Sequence, residues 1–589
     1  MSKWTPQRTL DETEAILCGP GNLHETEVRL VDGRLQRVYK NLWPSLRIFW
    51  LWASKEHAKA TYIVFESQRL TFGQAFQRSL KAACIYKTLY GIKKGDRVAI
   101  CARNYPDHMV AFWACHLIGA ISVQVNAWLP LDALHYCLAH TGSKLVILDS
   151  ERADRLEPSV DKLVTDAGTN GFLVLEAHEG KGQWKGMQSW NTVLDNFHGE
   201  TTDILNETEI LPEDDATILF TSGTTGLPKG VLSTNRMYLT NVLNVLVASR
   251  RALLRRGENI LPKPAEAQKG ILISVPLFHV TGSTSLTMLA TMAGMKVVFL
   301  RKWQPEEAAR LIKAENISVA GGVPSMVADL TESSLAGFPM ESLMFGGAPA
   351  PEFLAVRAGR VFPDAVMSQG YGLTETNSVA VGVAGHDYTS RPTTCGLPTP
   401  INDIMIIDGD KAVSTGEVGE VWLRGPNVMK CYWRDPAATE QALTKDGWFK
   451  SGDLGYLDKE GFLYIKDRIK DIILRGGENV DSVSVENALY ADERVMEAAA
   501  VGVPHPRLGE LVTAVVSVKP AFSGQVTEAS LISMVSKSLP KFAIPVMIIV
   551  QDEPLERTQS GKILKGGLRK LARDAWEKRQ KDSKVQSKL

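Results

Sequence analysis

The sequence has little of what would mark a secreted, metal-clustered or membrane-spanning chain. Its 589 residues include seven cysteines, an odd number with no CxxC pair, which argues against a disulfide framework or a zinc site and for reduced, mostly buried thiols in an intracellular compartment. An excess of charge of one sign is also missing. Lys+Arg and Asp+Glu both total 66, so nothing global points to nucleic acid or an anionic membrane. No apolar run approaches the roughly 20 residues that span a bilayer. The most apolar early stretch, Leu42 to Trp52, is interrupted by Pro44 and Arg47 and reads as a helix docked on the body of the protein. The N-terminus lacks a cationic region followed by an apolar core, so no secretory signal is expected. There is no GxSxG, which sets aside a serine hydrolase, and no internal repeat or low-complexity tract.

What is present is a chain too long for one hydrophobic core, with 44% hydrophobic and 22% charged residues, so two or more domains are expected. From about Leu70, short Val- and Ile-rich runs such as Arg97 to Ala102, Ala120 to Asn126 and Lys144 to Asp149 alternate with helical patterns. One of these is "DHMVAFWACHLIG", whose Gly119 is placed as a C-terminal stop. Such alternation predicts layered α/β structure with largely parallel sheets. After Ile401 the pattern changes to Gly-punctuated short strands, a small β-barrel or β-rich subdomain. After "KDRIKD" come a helix, two strands and a helix from Thr527 with Leu531, Val535 and Leu539 on one face, a small α+β unit. The predicted division is therefore an N-terminal domain of residues 1–469 and a mobile C-terminal domain of residues 470–589. Segment Leu253 to Gln268 reads as a surface loop, and the polar tail from Arg573 as exposed.

The chemistry concentrates in a few stretches. "TSGTTGLPKG", Thr221 to Gly230, puts three glycines, four hydroxyl side chains and one lysine directly after an apolar run. Such a loop suits polyphosphate oxygens, which take hydrogen bonds from hydroxyls and closely approaching backbone N–H groups. It is not a P-loop, because Lys229 is followed by Gly230 rather than Ser or Thr. Downstream stand "PLFHVTG" (Pro276 to Gly282), "FGGAPAP" (Phe345 to Pro351), "QGYGLTET" (Gln369 to Thr376), "SGDLG" with Asp453, and "LERTQSGKI" with Lys562. Each is weak alone.

Together and in this order, they resemble the adenylate-forming superfamily of acyl-CoA synthetases, aryl-CoA ligases and beetle luciferases. The resemblance runs from about Leu70 to Lys565. It implies an ATP-dependent acyl-CoA ligase that converts a carboxylic acid (a fatty acid or a secondary-metabolite acyl chain) first to acyl-AMP and then to acyl-CoA. Its co-substrates would be ATP and coenzyme A, with Mg²⁺. By this resemblance Thr221, Ser222, Gly223, Thr224, Thr225, Gly226 and Lys229 would hold the β- and γ-phosphates. Glu375 would ligate Mg²⁺, and Thr374 would meet the α-phosphate. Gly347, Ala348 and Pro349 would form the adenine slot with Tyr371 stacked on the base and Gly372 beside it. Asp453 and Arg468 would meet the ribose.

Lys562 would reach the carboxylate and α-phosphate, while His279 would border the acyl carboxylate in a pocket that includes Val323, Met326, Gly346 and Gly370. Lys470 falls on the hinge about which the family's C-terminal domain rotates, bringing Gly476 and Gly477 to the pantetheine arm of CoA. One departure is that "DSVSVE" stands where the family commonly has "YPAEVE", with Val483 and Ser484 replacing a proline and an acid. A carrier-protein-loading enzyme is the alternative, disfavoured because "PLFHVTG" lacks an acid to pair a substrate ammonium. A luciferase-like oxygenase is another.

The chain ends in Ser587, Lys588 and Leu589, the tripeptide read by the peroxisomal import receptor, and the sequence most resembles fungal peroxisomal ligases. Deleting these three residues from a fluorescently tagged protein is expected to leave it cytosolic by microscopy. Punctate signal that still coincides with peroxisomes would overturn the assignment.

Overall fold

The computed structural model describes residues 4–199, 204–206, 208–221, 227–260, 267–558 and 561–586. Ser222, Gly223, Thr224, Thr225 and Gly226 of the hydroxyl-rich loop, and the terminal Ser587, Lys588 and Leu589, lie outside the described residues.

Short strands without polar alternation have to be covered on both faces, and they build two sheets. Leu145–Asp149, for example, is buried at every position, as expected of a strand inside a parallel sheet. The first sheet has eight strands in the order Cys431–Tyr432, Gly230–Thr234, Asp215–Phe220, Ile121–Gln124, Arg97–Cys101, Leu145–Asp149, Gly171–Leu175 and Gln188–Ser189. The second has nine: Leu397–Pro398, Ser378–Ala384, Val366–Leu373, Ser342–Gly346, Val319–Gly322, Gly270–Ile273, Lys296–Phe299, Thr61–Phe65 and Gln68–Thr71. Pairing is parallel through the centre of each sheet and antiparallel only toward the edges. The helix Asn235–Arg255, capped by the Thr234 hydroxyl on the Met237 N–H at 3.3 Å, packs on strands of both sheets. Near its middle, Asn244, Val245 and Ala248 line the cleft between them.

The apolar stretch near residue 42 is a docked helix, Leu46–Glu56, begun by the Ser45 side chain. Its Trp50 lies flat on Trp113 with centroids 4.6 Å apart. Ahead of it the sequence reading assigned nothing. There the structure has a helix, Leu10–Leu17, and a hairpin of Thr26–Val31 with Arg34–Tyr39, both packed along Asn235–Arg255. Tyr39 donates to Asn244 Oδ1 at 2.9 Å, and His24 Nε2 donates to the Leu243 carbonyl at 3.0 Å.

The strands after Ile401 form an open five-stranded antiparallel sheet, not a barrel, ending in Phe449–Leu457 and Leu463–Arg468. The chain then crosses residues 469–472 into the C-terminal sheet at Ile473. Lys470 thus lies on the connection between the two sheets. Two details differ from the sequence reading. The helix after Thr527 stops at Val535, leaving Leu539 outside it. The supposed loop from Leu253 begins within the last turn of Asn235–Arg255. The tail, exposed over most of its described positions from Arg573 as expected, is a helix, Lys565–Gln586, whose Ala572 and Trp576 pack on Val501, Val503 and Met547.

Arg152 is fully buried against an equally buried Asp149, with Nη1 at 3.1 Å from Oδ2. Its guanidinium lies 5.4 Å from the Trp128 ring centroid. Arg152→Met is expected to destabilise the fold by about 3–5 kcal/mol, because Asp149 keeps its charge without the cation. Urea denaturation measures this.

Candidate active site

Where the two large sheets, the five-stranded sheet and the C-terminal domain meet there is a cleft of about 2620 Å³. The elements place the chemistry by register. Asp453 and Arg468 are direct cross-strand partners, so their side chains meet, with Arg468 Nε 3.3 Å from Asp453 Oδ1. The other Asp453 oxygen accepts the Tyr371 hydroxyl at 2.7 Å. Burial pushes the Asp453 pKa up, opposed by the Arg468 charge and the Tyr371 bond. Burial and the neighbouring Asp453 hold the Tyr371 phenol far above its ordinary range, so Tyr371 remains a donor.

Glu375 follows the strand Val366–Leu373 in a single turn of 3₁₀ helix, Thr374–Thr376. Its Oε1 accepts the Tyr432 hydroxyl at 2.7 Å, and the Tyr432 ring lies 5.0 Å below Lys229 Nζ. Tyr432 thus ties the lysine of the hydroxyl-rich loop to the carboxylate. Thr221 and Lys229 close the neck of that loop, the Thr221 N–H donating to the Lys229 carbonyl at 2.9 Å. Gly372 is bare for a reason unrelated to a ligand: a Cβ there would lie 1.6 Å from the Ser378 carbonyl oxygen.

His279 stands in a turn beyond Gly270–Ile273, not at the strand end, and is followed by the π-helix Thr281–Thr287. Burial, then the Lys562 charge, lowers its pKa to about 3. At neutral pH it is therefore an uncharged imidazole.

Lys562 comes from the C-terminal domain and enters the cleft. Its Cε lies 3.8 Å from where a Cβ on Gly347 would sit. Burial, followed by Arg468, lowers its pKa to about 8, while Asp453 and Glu375 oppose the shift.

The structure brings to one cleft Thr221, Lys229, His279, Val323, Met326, Gly346, Gly347, Ala348, Pro349, Gly370, Tyr371, Gly372, Thr374, Glu375, Asp453, Arg468, Lys470 and Lys562. It does not bring Gly476 and Gly477 there. They form the exposed turn between Ile473–Arg475 and Glu478–Val480. Tyr432 was missed because it lies between motifs, in a two-residue edge strand paired with Val231. That pairing, with the Met429 N–H donating to the Glu375 carbonyl at 2.7 Å, brings it to Glu375.

The AMP-binding enzyme family matches residues 49–433, and its C-terminal domain matches residues 484–562. A feruloyl-CoA synthase of Amycolatopsis sp is 30% identical over 524 residues, covering 87% of this chain and 96% of that protein. A protein described as probable acyl-activating enzyme 5, peroxisomal, of Arabidopsis thaliana is 31% identical over 544 residues, covering 88% and 94%. The o-succinylbenzoate CoA synthetase of Bacillus subtilis, solved with its acyl-adenylate intermediate, superposes with a TM-score of 0.72 at 27% identity, covering 89% of this chain and 98% of that one. The same enzyme has been solved with ATP and magnesium ion.

Proposed function

The chain belongs to the AMP-binding enzyme family and is an AMP-forming acid–thiol ligase; within that activity we propose that it activates a monocarboxylic acid with an uncharged tail. The acid oxygen attacks the α-phosphorus of ATP, pyrophosphate leaves, and the CoA thiolate then attacks the acyl carbonyl carbon with AMP as leaving group.

The observation that carries this reading is the meeting of Lys229, Glu375, Asp453, Arg468 and Lys562 at one cleft. Two anions have to be brought together, so catalysis consists of charge neutralisation and alignment. We assign Thr221 and Lys229, with the loop between them, to the β- and γ-phosphates, and Thr374 to the α-phosphate. Tyr371 is assigned to the adenine face, with Gly347, Ala348 and Pro349 around it, and Asp453 with Arg468 to the ribose. Glu375, an ionisable carboxylate lining the cleft with one oxygen held by Tyr432, is the donor type a hard cation takes. It would hold Mg²⁺, which supplies charge neutralisation to the phosphates when bound. Lys562 stabilises charge on the α-phosphate and the acid. Neutral His279 borders the acid without adding charge.

The tail assignment rests on the cleft wall built from Asn244, Val245, Ala248, Leu286, Val379 and Gly382, none of which is ionisable. Of the cations that line the cleft outside the nucleotide assignments, Arg103 and Arg301 are paired with Glu151 and Glu179, and Lys302 is exposed to solvent. A second carboxylate deep in the pocket would lose hydration with no partner. For the thioester step, rotation about Lys470 would exchange Lys562 for Gly476 and Gly477. Peroxisomal residence is proposed from Ser587, Lys588 and Leu589.

Glu375→Gln keeps the shape and removes the charge, so adenylation should fall by about 10²-fold or more. Pyrophosphate release at saturating Mg·ATP measures it. A second expectation concerns pH. Lys562 is cationic below about 8, so kcat/KM for adenylation should fall as pH rises through about 8. Lys562→Arg should lose that fall, because guanidinium stays charged. A profile of the parent enzyme that is flat from about pH 7 to 9.5 would remove Lys562 from this role.

A further inference from the structure

A lysine helps the first half-reaction only while its ammonium is held in place, and Lys562 sits on a chain segment between two domains' surfaces. We propose that Arg557, gripped by the buried carboxylate of Glu497, is the positioning residue that holds Lys562 in the cleft for adenylation; this rests on the role given to Lys562 above.

The geometry is specific. Glu497, 7% exposed on the strand Val495–His505, holds the segment at two points. Its Oε2 accepts the Leu555 N–H at 2.5 Å. Its Oε1 accepts Arg557 Nε at 2.7 Å and lies 2.5 Å from Nη2. The remaining arm of the guanidinium, Nη1, donates to the Gly561 carbonyl at 2.5 Å, the residue before Lys562, and to Ser325 Oγ at 3.4 Å. One planar cation therefore joins the C-terminal strand, the backbone beside Lys562 and the wall of the cleft. A guanidinium can do this because its donors are rigidly splayed, whereas an ammonium cannot keep all three directions.

The backbone supports the same lock. The Thr558 N–H donates to the Lys562 carbonyl at 2.7 Å and the Leu564 N–H to the Glu556 carbonyl at 2.8 Å, closing a narrow hairpin. Gly561, at φ +83°, is pressed so close to the wall that a Cβ would lie 2.5 Å from Val323 Cγ2. The far end is held separately. Lys565 donates to Ser482 Oγ at 2.5 Å and pairs with Glu486 Oε1 at 2.7 Å.

Ser325 lies between Val323 and Met326, both lining the cleft. Its bond to Arg557 forms between the two domains, so the lock acts in the closed arrangement and has no part in the thioester step. A merely structural arginine would affect both half-reactions alike. A misplacement of about 1 Å can cost about 10²-fold in rate, so the effect of losing the lock is measurable.

The experiment compares Arg557→Ala, Arg557→Lys, Glu497→Gln and Lys562→Ala in two assays on the full-length protein. One measures pyrophosphate release from acid plus ATP, the other thioester formation from synthetic acyl-adenylate plus CoA. Arg557→Ala is expected to lose about 10²-fold in the first and to stay within about twofold in the second, which also reports that it is folded. Arg557→Lys should recover less than about a tenth of the loss, since it restores charge but not the fork. Glu497→Gln, which keeps an acceptor for Leu555, should show the same selective loss, about tenfold. If Lys562→Ala loses adenylation and Arg557→Ala does not, the positioning role is wrong while the ligase reading stands. Equal loss of both half-reactions in Arg557→Ala and Glu497→Gln would also overturn it. Unimpaired adenylation by Lys562→Ala would remove the premise itself.

Discussion

Lys562 crosses from one domain into the other and comes to rest beside Gly347, with its Cε 3.8 Å from the position of a Cβ there. Much of the site's logic depends on that crossing. Burying an ammonium is costly unless anions face it, and two do so electrostatically: Asp453 and Glu375 oppose the fall in its pKa that burial and Arg468 produce. The lysine can therefore be cationic around neutral pH in a cleft made largely of backbone and neutral side chains.

The same carboxylates have other duties, and this explains why they are so carefully held. Asp453 meets Arg468 because the two are opposite each other on antiparallel strands, a relation that a slip of one residue would destroy. Glu375 is held through Tyr432, which also lies beneath Lys229. Lys229 and Glu375 are thus tied to one aromatic ring, and the positions of the two are not independent.

With Lys562 in the cleft, Gly476 and Gly477 lie in an exposed turn, so under the proposed assignment the adenylating and thioester-forming faces of one small domain are not presented together. Lys470 lies on the connection between the five-stranded sheet and the C-terminal sheet, the point about which the proposed exchange would turn. Behind the cleft, the N-terminal hairpin and helix brace Asn235–Arg255. Tyr39 satisfies Asn244, whose own Nδ2 donates to the Val379 carbonyl at 2.8 Å. This part of the cleft wall is therefore supported from outside the region that the family pattern matches.

Local chemistry made much of this legible. Strands buried on both faces appear as unbroken Val and Ile runs, a helix stop appears as Gly119, and the glycine- and hydroxyl-rich stretches stand out because they combine so little bulk with so many donors. The sequence by itself determined the α/β layering, the two-part organisation and many of the residues that gather at the cleft, though it added Gly476 and Gly477, which do not, and omitted Tyr432, which does. What it could not convey were relations between residues far apart in the chain: Tyr432 with Glu375, Arg557 with Ser325, the N-terminal hairpin with Asn244. Nor did it say that the exposed polar tail would be a helix, anchored where Ala572 and Trp576 meet an apolar surface. Only the tertiary structure decided these, because a hydrogen bond or an ion pair depends on distance in space, and no pattern of neighbouring residues encodes which distant partner the fold will bring within reach.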